Sequence, residues 1–130
     1  MHKVEARARA LVGTPFRPQG RSPEHGLDCL GLAAEAGAIP RHLIPSDYSL
    51  RSSVPDDLLG FELHGKLRPI EVAEASPGDV LLVQAGMRQQ HFVLLVVGGF
   101  IHADLRLGRV VETPGPVPWP VRAAWRFQEL

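Results

Sequence analysis

The chain has 130 residues, 45% of them hydrophobic and 22% charged, and a single cysteine. That length fits one domain, residues 1–130, able to bury a core of its own, and one cysteine excludes an internal disulfide. Lys and Arg together number 14, as do Asp and Glu, so the formal net charge of zero gives no electrostatic case for binding nucleic acid or an anionic membrane.

Val4, Ala8, Leu11 and Val12 recur at helical spacing, which predicts an amphipathic opening helix ending at Gly13. Lys3, Arg7 and Arg9 read as its solvated side. The opening stretch from Met1 to Arg9 is too charged to hold the apolar core of a signal peptide, so the chain is expected to be made in the cytoplasm without one. Residues Thr14 to Gly26 form a loop rich in Pro and Gly, placed to wall a cleft beside Cys29. Asp28 is a good N-cap, and the Ala/Leu-rich stretch from Leu30 to Ala38 predicts a helix that carries Cys29 in its first turn and stops before Pro40. Ile39 to Pro55 reads as irregular, and Asp56 to Leu67 as a short helix entered through Pro55-Asp56. Beyond Pro77-Gly78 the pattern changes to strands: Asp79 to Gln84, His91 to Val97, Phe100 to Ala103, Arg109 to Glu112 and Ala123 to Gln128. Gly98-Gly99 joins two of them as a hairpin. The Pro-rich stretch from Thr113 to Pro120 is a rigid connection. The apolar run from Phe92 to Ile101 is about half of the roughly 20 residues that span a bilayer, so no membrane insertion is expected. Helices first and strands later is the pattern of an α+β fold with a helix packed on an antiparallel sheet.

Cys29, His91 and His102 are the candidates for chemistry. A free thiol is mostly protonated at neutral pH, and a helix N-terminus or a neighbouring imidazolium favours the thiolate. Unpaired amides of the first helical turn would also hold an oxyanion. Adjacent antiparallel strands can bring His91 and His102 together. The plain alternatives are a small buried cysteine and packed histidines. Zinc is a chemical competitor, since Cys29, His25, His91 and His102 are suitable donors, but their spacing matches no paired-ligand motif. Asp104 shares a strand face with His102 and is a second candidate to orient an imidazole. His25 reads as a substrate contact or a solvent-exposed loop residue, Asp79 as a turn-fixing residue, and Trp119 and Trp125 as packing anchors. His2, His42 and His64 have no companions that suggest chemistry.

Gly13-Thr14-Pro15-Phe16-Arg17, then Gly26-Leu27-Asp28-Cys29-Leu30-Gly31-Leu32, then Ser76-Pro77-Gly78-Asp79-Val80-Leu81-Leu82, His91 and Phe100-Ile101-His102-Ala103 together resemble the NlpC-type family of cell-wall cysteine peptidases. The resemblance spans most of the chain in the right order. It implies a papain-like fold, no cofactor, and hydrolysis of amide bonds in peptidoglycan stem peptides through a thioester. By the same resemblance Cys29 is the nucleophile, working as an ion pair with the general base His91, and His102 orients that base. Phe16, Asp28 and Leu30 fall at the substrate or oxyanion positions. Many members carry Tyr where this chain has Phe16, which cannot donate a hydrogen bond. Leu30 stands where Ser is commoner, and this resembles the branch found in phage and gene-transfer-agent tails. That branch implies tail-tip or hub proteins as partners, a virion tail location and action at the cell wall. A non-catalytic structural or assembly component of such a tail is the alternative from another class.

Overall fold

The structure, a computed structural model, describes residues 2–40, 66–87 and 89–128. Almost all of the predicted irregular stretch and short helix between Ile39 and Leu67 lies outside the described residues, as do His42 and His64.

Helix α1 (Lys3–Ala10) is capped by His2, whose Nδ1 accepts from the Val4 N–H at 3.1 Å. It ends at Ala10, ahead of the expected Gly13, because Leu11 to Gly13 turn away and the Gly13 N–H donates to the Val110 carbonyl at 2.8 Å. Val4 and Ala8 point into the core, and the buried Glu5 accepts from the Val97 N–H at 2.6 Å, tying the helix to the sheet. The Pro/Gly-rich loop contains a small hairpin that its composition did not announce, β1 (Arg21–Ser22) paired with β2 (Gly26–Leu27).

Helix α2 (Cys29–Ala36) starts where expected, with the Asp28 carboxylate accepting from the Gly31 N–H at 2.8 Å. Every residue of the helix except Glu35 is buried, which accounts for its nearly uncharged sequence: it is sandwiched between α1 and the sheet.

Among the described residues the sheet has six antiparallel strands, β3 (Leu67–Ile70), β4 (Val80–Gly86), β5 (Gln89–Val96), β6 (Gly99–Asp104), β7 (Arg109–Pro114) and β8 (Val121–Phe127). Their spatial order is β3-β8-β4-β5-β6-β7. All five predicted strands lie within about two residues of the observed ones, β4 running on to Gly86. The unforeseen strand is β3, an edge strand containing Pro69, a residue that argues against a strand from sequence but is tolerated where one side has no partner. Along β5, Phe92, Leu94 and Val96 pack in the cluster shared with α1 and α2, while Val93 and Leu95 face a second cluster with Val83 and Phe100. Among the described residues the architecture is α+β, with α1 and α2 packed on an antiparallel sheet.

Candidate active site

The site lies where two strands part. β5 and β6 pair at Leu94 with Ile101, Leu95 with Phe100 and Val96 with Gly99, and no further. β5 continues to Gln89 alongside β4, and β6 continues to Asp104 alongside β7. His91 and His102 both lie past the last shared pair, and the start of α2 sits at the same place. The result is a cleft of about 710 Å³ whose walls include Phe16, Cys29, Gln90, His91, His102, Asp104 and Trp119.

Cys29 is only 4% exposed. Burial pushes its thiol up to about 12, with the neighbouring Asp28 charge acting in the same direction. The backbone N–H groups of Phe92, Leu30 and Cys29 itself favour the thiolate but are outweighed. The electropositive helix start expected from the sequence is present, yet desolvation dominates. No hydrogen bond among the described residues joins Sγ to either imidazole, and burial favours the neutral thiol over the thiolate of an ion pair.

The two histidines are tightly connected. His91 Nε2 and His102 Nδ1 are 3.0 Å apart, with the rings edge to face at 5.2 Å and 82°. One of those nitrogens donates and the other accepts. If Nε2 of His91 donates, its Nδ1 is left as the free lone pair, and His102 carries its proton on Nε2. That nitrogen lies 3.9 Å from Asp104 Oδ2. Asp104 is itself held by the Leu107 N–H at 2.9 Å, which keeps its carboxyl below the usual range. Burial lowers the His91 pKa to about 4, helped by the adjacent His102, while Asp104 pulls the other way. His102 is lowered for the same first reason and is likewise supported by Asp104. Trp119 caps the pair, with its ring 6.2 Å from His91 and 5.5 Å from His102. It is a packing anchor as expected, but the residues it anchors are the two histidines.

The remaining predicted residues divide. Phe16 lines the cleft, and its N–H donates to the Gly108 carbonyl at 2.9 Å, which fixes the loop against the β6–β7 turn. Asp28 also reaches the cleft, but its carboxylate is engaged by the Gly31 N–H, by the Gln19 N–H at 3.0 Å and by Arg21 at 2.8 Å. Leu30 is fully buried in the core, and only its backbone N–H bears on the thiol. His25 is exposed and bonded to Ser22 at the β1–β2 turn. Asp79 fixes a turn as expected, accepting from the Ser76 N–H at 2.9 Å and pairing with Arg126. Among the described residues no group of three His, Cys, Asp or Glu side chains could hold a metal ion. Gln90, absent from the sequence-derived candidates, is a wall residue of the cleft.

No family model matches the chain, and no curated protein matches it in sequence. Solved structures do. The peptidoglycan hydrolase RipB of Mycobacterium tuberculosis superposes with a TM-score of 0.58 at 26% identity, covering 95% of this chain and 62% of its own. The fold is that of an NlpC/p60 domain. A P60 domain of a Mycobacterium avium subspecies paratuberculosis antigen gives a TM-score of 0.61 at 23% identity, covering 95% of this chain and 90% of its own. RipD of M. tuberculosis, described as a non-catalytic NlpC/p60 domain protein adapted to peptidoglycan binding, gives 0.56 at 18% identity, covering 95% of this chain and 93% of its own. The solved neighbours thus include both a peptidoglycan hydrolase and a protein described as non-catalytic.

Proposed function

We propose that the chain is a cysteine peptidase that hydrolyses amide bonds of peptidoglycan stem peptides, with Cys29 as nucleophile, His91 as general base and His102 as the residue that orients it. The observation that carries this reading is the His91–His102 bond in the wall of a cleft that is also lined by the buried Cys29. A merely structural pair of buried histidines would not require a cysteine at a helix start in the same cleft.

Burial favours the neutral form of both groups, so attack and proton transfer are coupled. Cys29 Sγ bonds to the amide carbonyl carbon as its proton passes to His91 Nδ1, and the Nε2–H bond to His102 stabilises the imidazolium. Asp104 adds its charge to the far side of His102. Amides of the first turn of α2 hold the oxyanion. His91 then returns the proton to the leaving amine, giving the thioester. Water, deprotonated by His91, attacks the thioester and releases the carboxylate and the free thiol.

A second reading, peptidoglycan binding without catalysis, is favoured by the lack of an Sγ–imidazole hydrogen bond among the described residues and by the burial that pushes the thiol pKa up. Incubation with insoluble peptidoglycan separates the two. A peptidase sediments with the wall and releases new amino groups, whereas a binder sediments and releases none. The finer reading, delivery by a phage-like tail with tail-tip or hub proteins as partners, is supported by the resemblance of Asp28-Cys29-Leu30-Gly31-Leu32 to that branch. Its test is co-purification with tail particles.

A further inference from the structure

Gln90 is 1% exposed, and neither its Oε1 nor its Nε2 has a hydrogen-bond partner among the described residues. Native folds rarely bury a carboxamide in that condition. The next inward positions of the same strand, Phe92, Leu94 and Val96, are apolar, so packing alone does not require a polar residue here. Gln90 lies in the cleft wall, directly before His91. By strand alternation it shares a sheet face with Phe92, whose backbone N–H acts on the Cys29 thiol. The cleft walls combine apolar side chains such as Phe16, Ala85 and Ala103 with polar ones such as Gln19 and Arg106, none of which bonds to the Gln90 carboxamide.

A carboxamide with donor and acceptor both idle is complementary to one thing above all, another amide. We propose that Gln90 is a substrate-binding residue that pairs with a backbone amide of the stem peptide beside the reacting bond, Nε2 donating to the carbonyl and Oε1 accepting from the N–H. This inference rests on the peptidoglycan reading of the cleft, and it holds for a hydrolase or a binder.

The test uses Cys29→Ala as background and soluble muropeptides, released from purified peptidoglycan by a muramidase, as the probe in calorimetric titration. Gln90→Met, close in length and without hydrogen-bonding atoms, should weaken binding by about 10- to 100-fold. Its melting temperature should hold or rise, because no buried polar group is left unpaired. Gln90→Leu provides the same comparison should the Met variant fold poorly. Unchanged affinity in either folded variant overturns the proposal, as does an absence of muropeptide binding by Cys29→Ala alone. A lower melting temperature with unchanged affinity assigns Gln90 a structural role and overturns it too. Turnover by the wild-type protein is scored separately. Gln90-dependent binding without turnover removes the peptidase reading and leaves this one standing.

Discussion

His91 Nε2 and His102 Nδ1 stand 3.0 Å apart on two strands that have already stopped pairing with each other. The separation opens the cleft, and the bond closes across it, so the same feature makes room for a substrate and fixes the base. His102→Ala removes the partner that holds His91 in one tautomer. It should lower kcat by roughly 10²–10⁴-fold with little change in KM, the range expected for loss of an orienting or acid–base group. Steady-state kinetics on muropeptides checks this, and a wild-type kcat would exclude the role.

Asp104 acts one step further out, at 3.9 Å from His102 Nε2. Its charge raises the proton affinity of both histidines. Asp104→Asn should therefore destabilise the imidazolium formed during attack and cost about tenfold in kcat, the equivalent of one pKa unit. The acid limb of kcat/KM should move to lower pH in the same variant. An unmoved limb would mean that the carboxylate only braces the turn through Leu107.

The buried pair also sets a pH dependence of folding. His91 is lowered from 6.5 to about 4, so between those values the unfolded chain binds a proton that the folded protein refuses. Stability must rise with pH across that window and fall on acidification through it. Cys29 works in the opposite sense: with its thiol raised from 9.0 to about 12, the folded protein keeps a proton that the unfolded chain loses, and stability declines as pH rises through that range. Urea midpoints measured from pH 4 to 7 should show the acid slope flattened in His91→Gln, and midpoints measured above pH 9 should show the alkaline slope reduced in Cys29→Ala.

Gly31 explains why the cysteine is followed by a small residue two positions later. A Cβ there would lie 2.0 Å from the Gly20 carbonyl oxygen, a backbone atom that cannot swing aside. Gly31→Ala should force the loop off the start of α2 and destabilise the fold by about 1–3 kcal/mol, as overpacking does elsewhere. Because the same loop presents Phe16 to the cleft, activity should fall beyond what the lost stability explains. Denaturant titration combined with kinetics at low temperature separates the two effects.

Much of this site was legible in the chain itself. Asp28 before Cys29 marked the helix start because an N-cap is a local interaction, and Gly98-Gly99 between apolar runs marked the β5–β6 hairpin for the same reason. What stayed hidden depends on contacts distant in sequence. Nothing in residues 89–104 signals that β5 and β6 separate before reaching His91, since that follows from their other partners, β4 and β7. The burial that outweighs the helix start at Cys29 comes from packing against the sheet, and the placement of Trp119 over the two histidines comes from the return of the chain into β8. Gln90 escaped notice because a glutamine at the start of a strand carries no pattern. Only its burial without a partner makes it informative.

The most direct test of the central claim is mass spectrometry of purified peptidoglycan digested in parallel by the wild-type protein and Cys29→Ala under reducing conditions. Both proteins are first shown to be folded by circular dichroism. Stem-peptide fragments with new amino and carboxyl ends, made by the wild type alone, are the predicted result. Equal fragments from Cys29→Ala, or none from either folded protein, would contradict the assignment of Cys29 as a hydrolytic nucleophile.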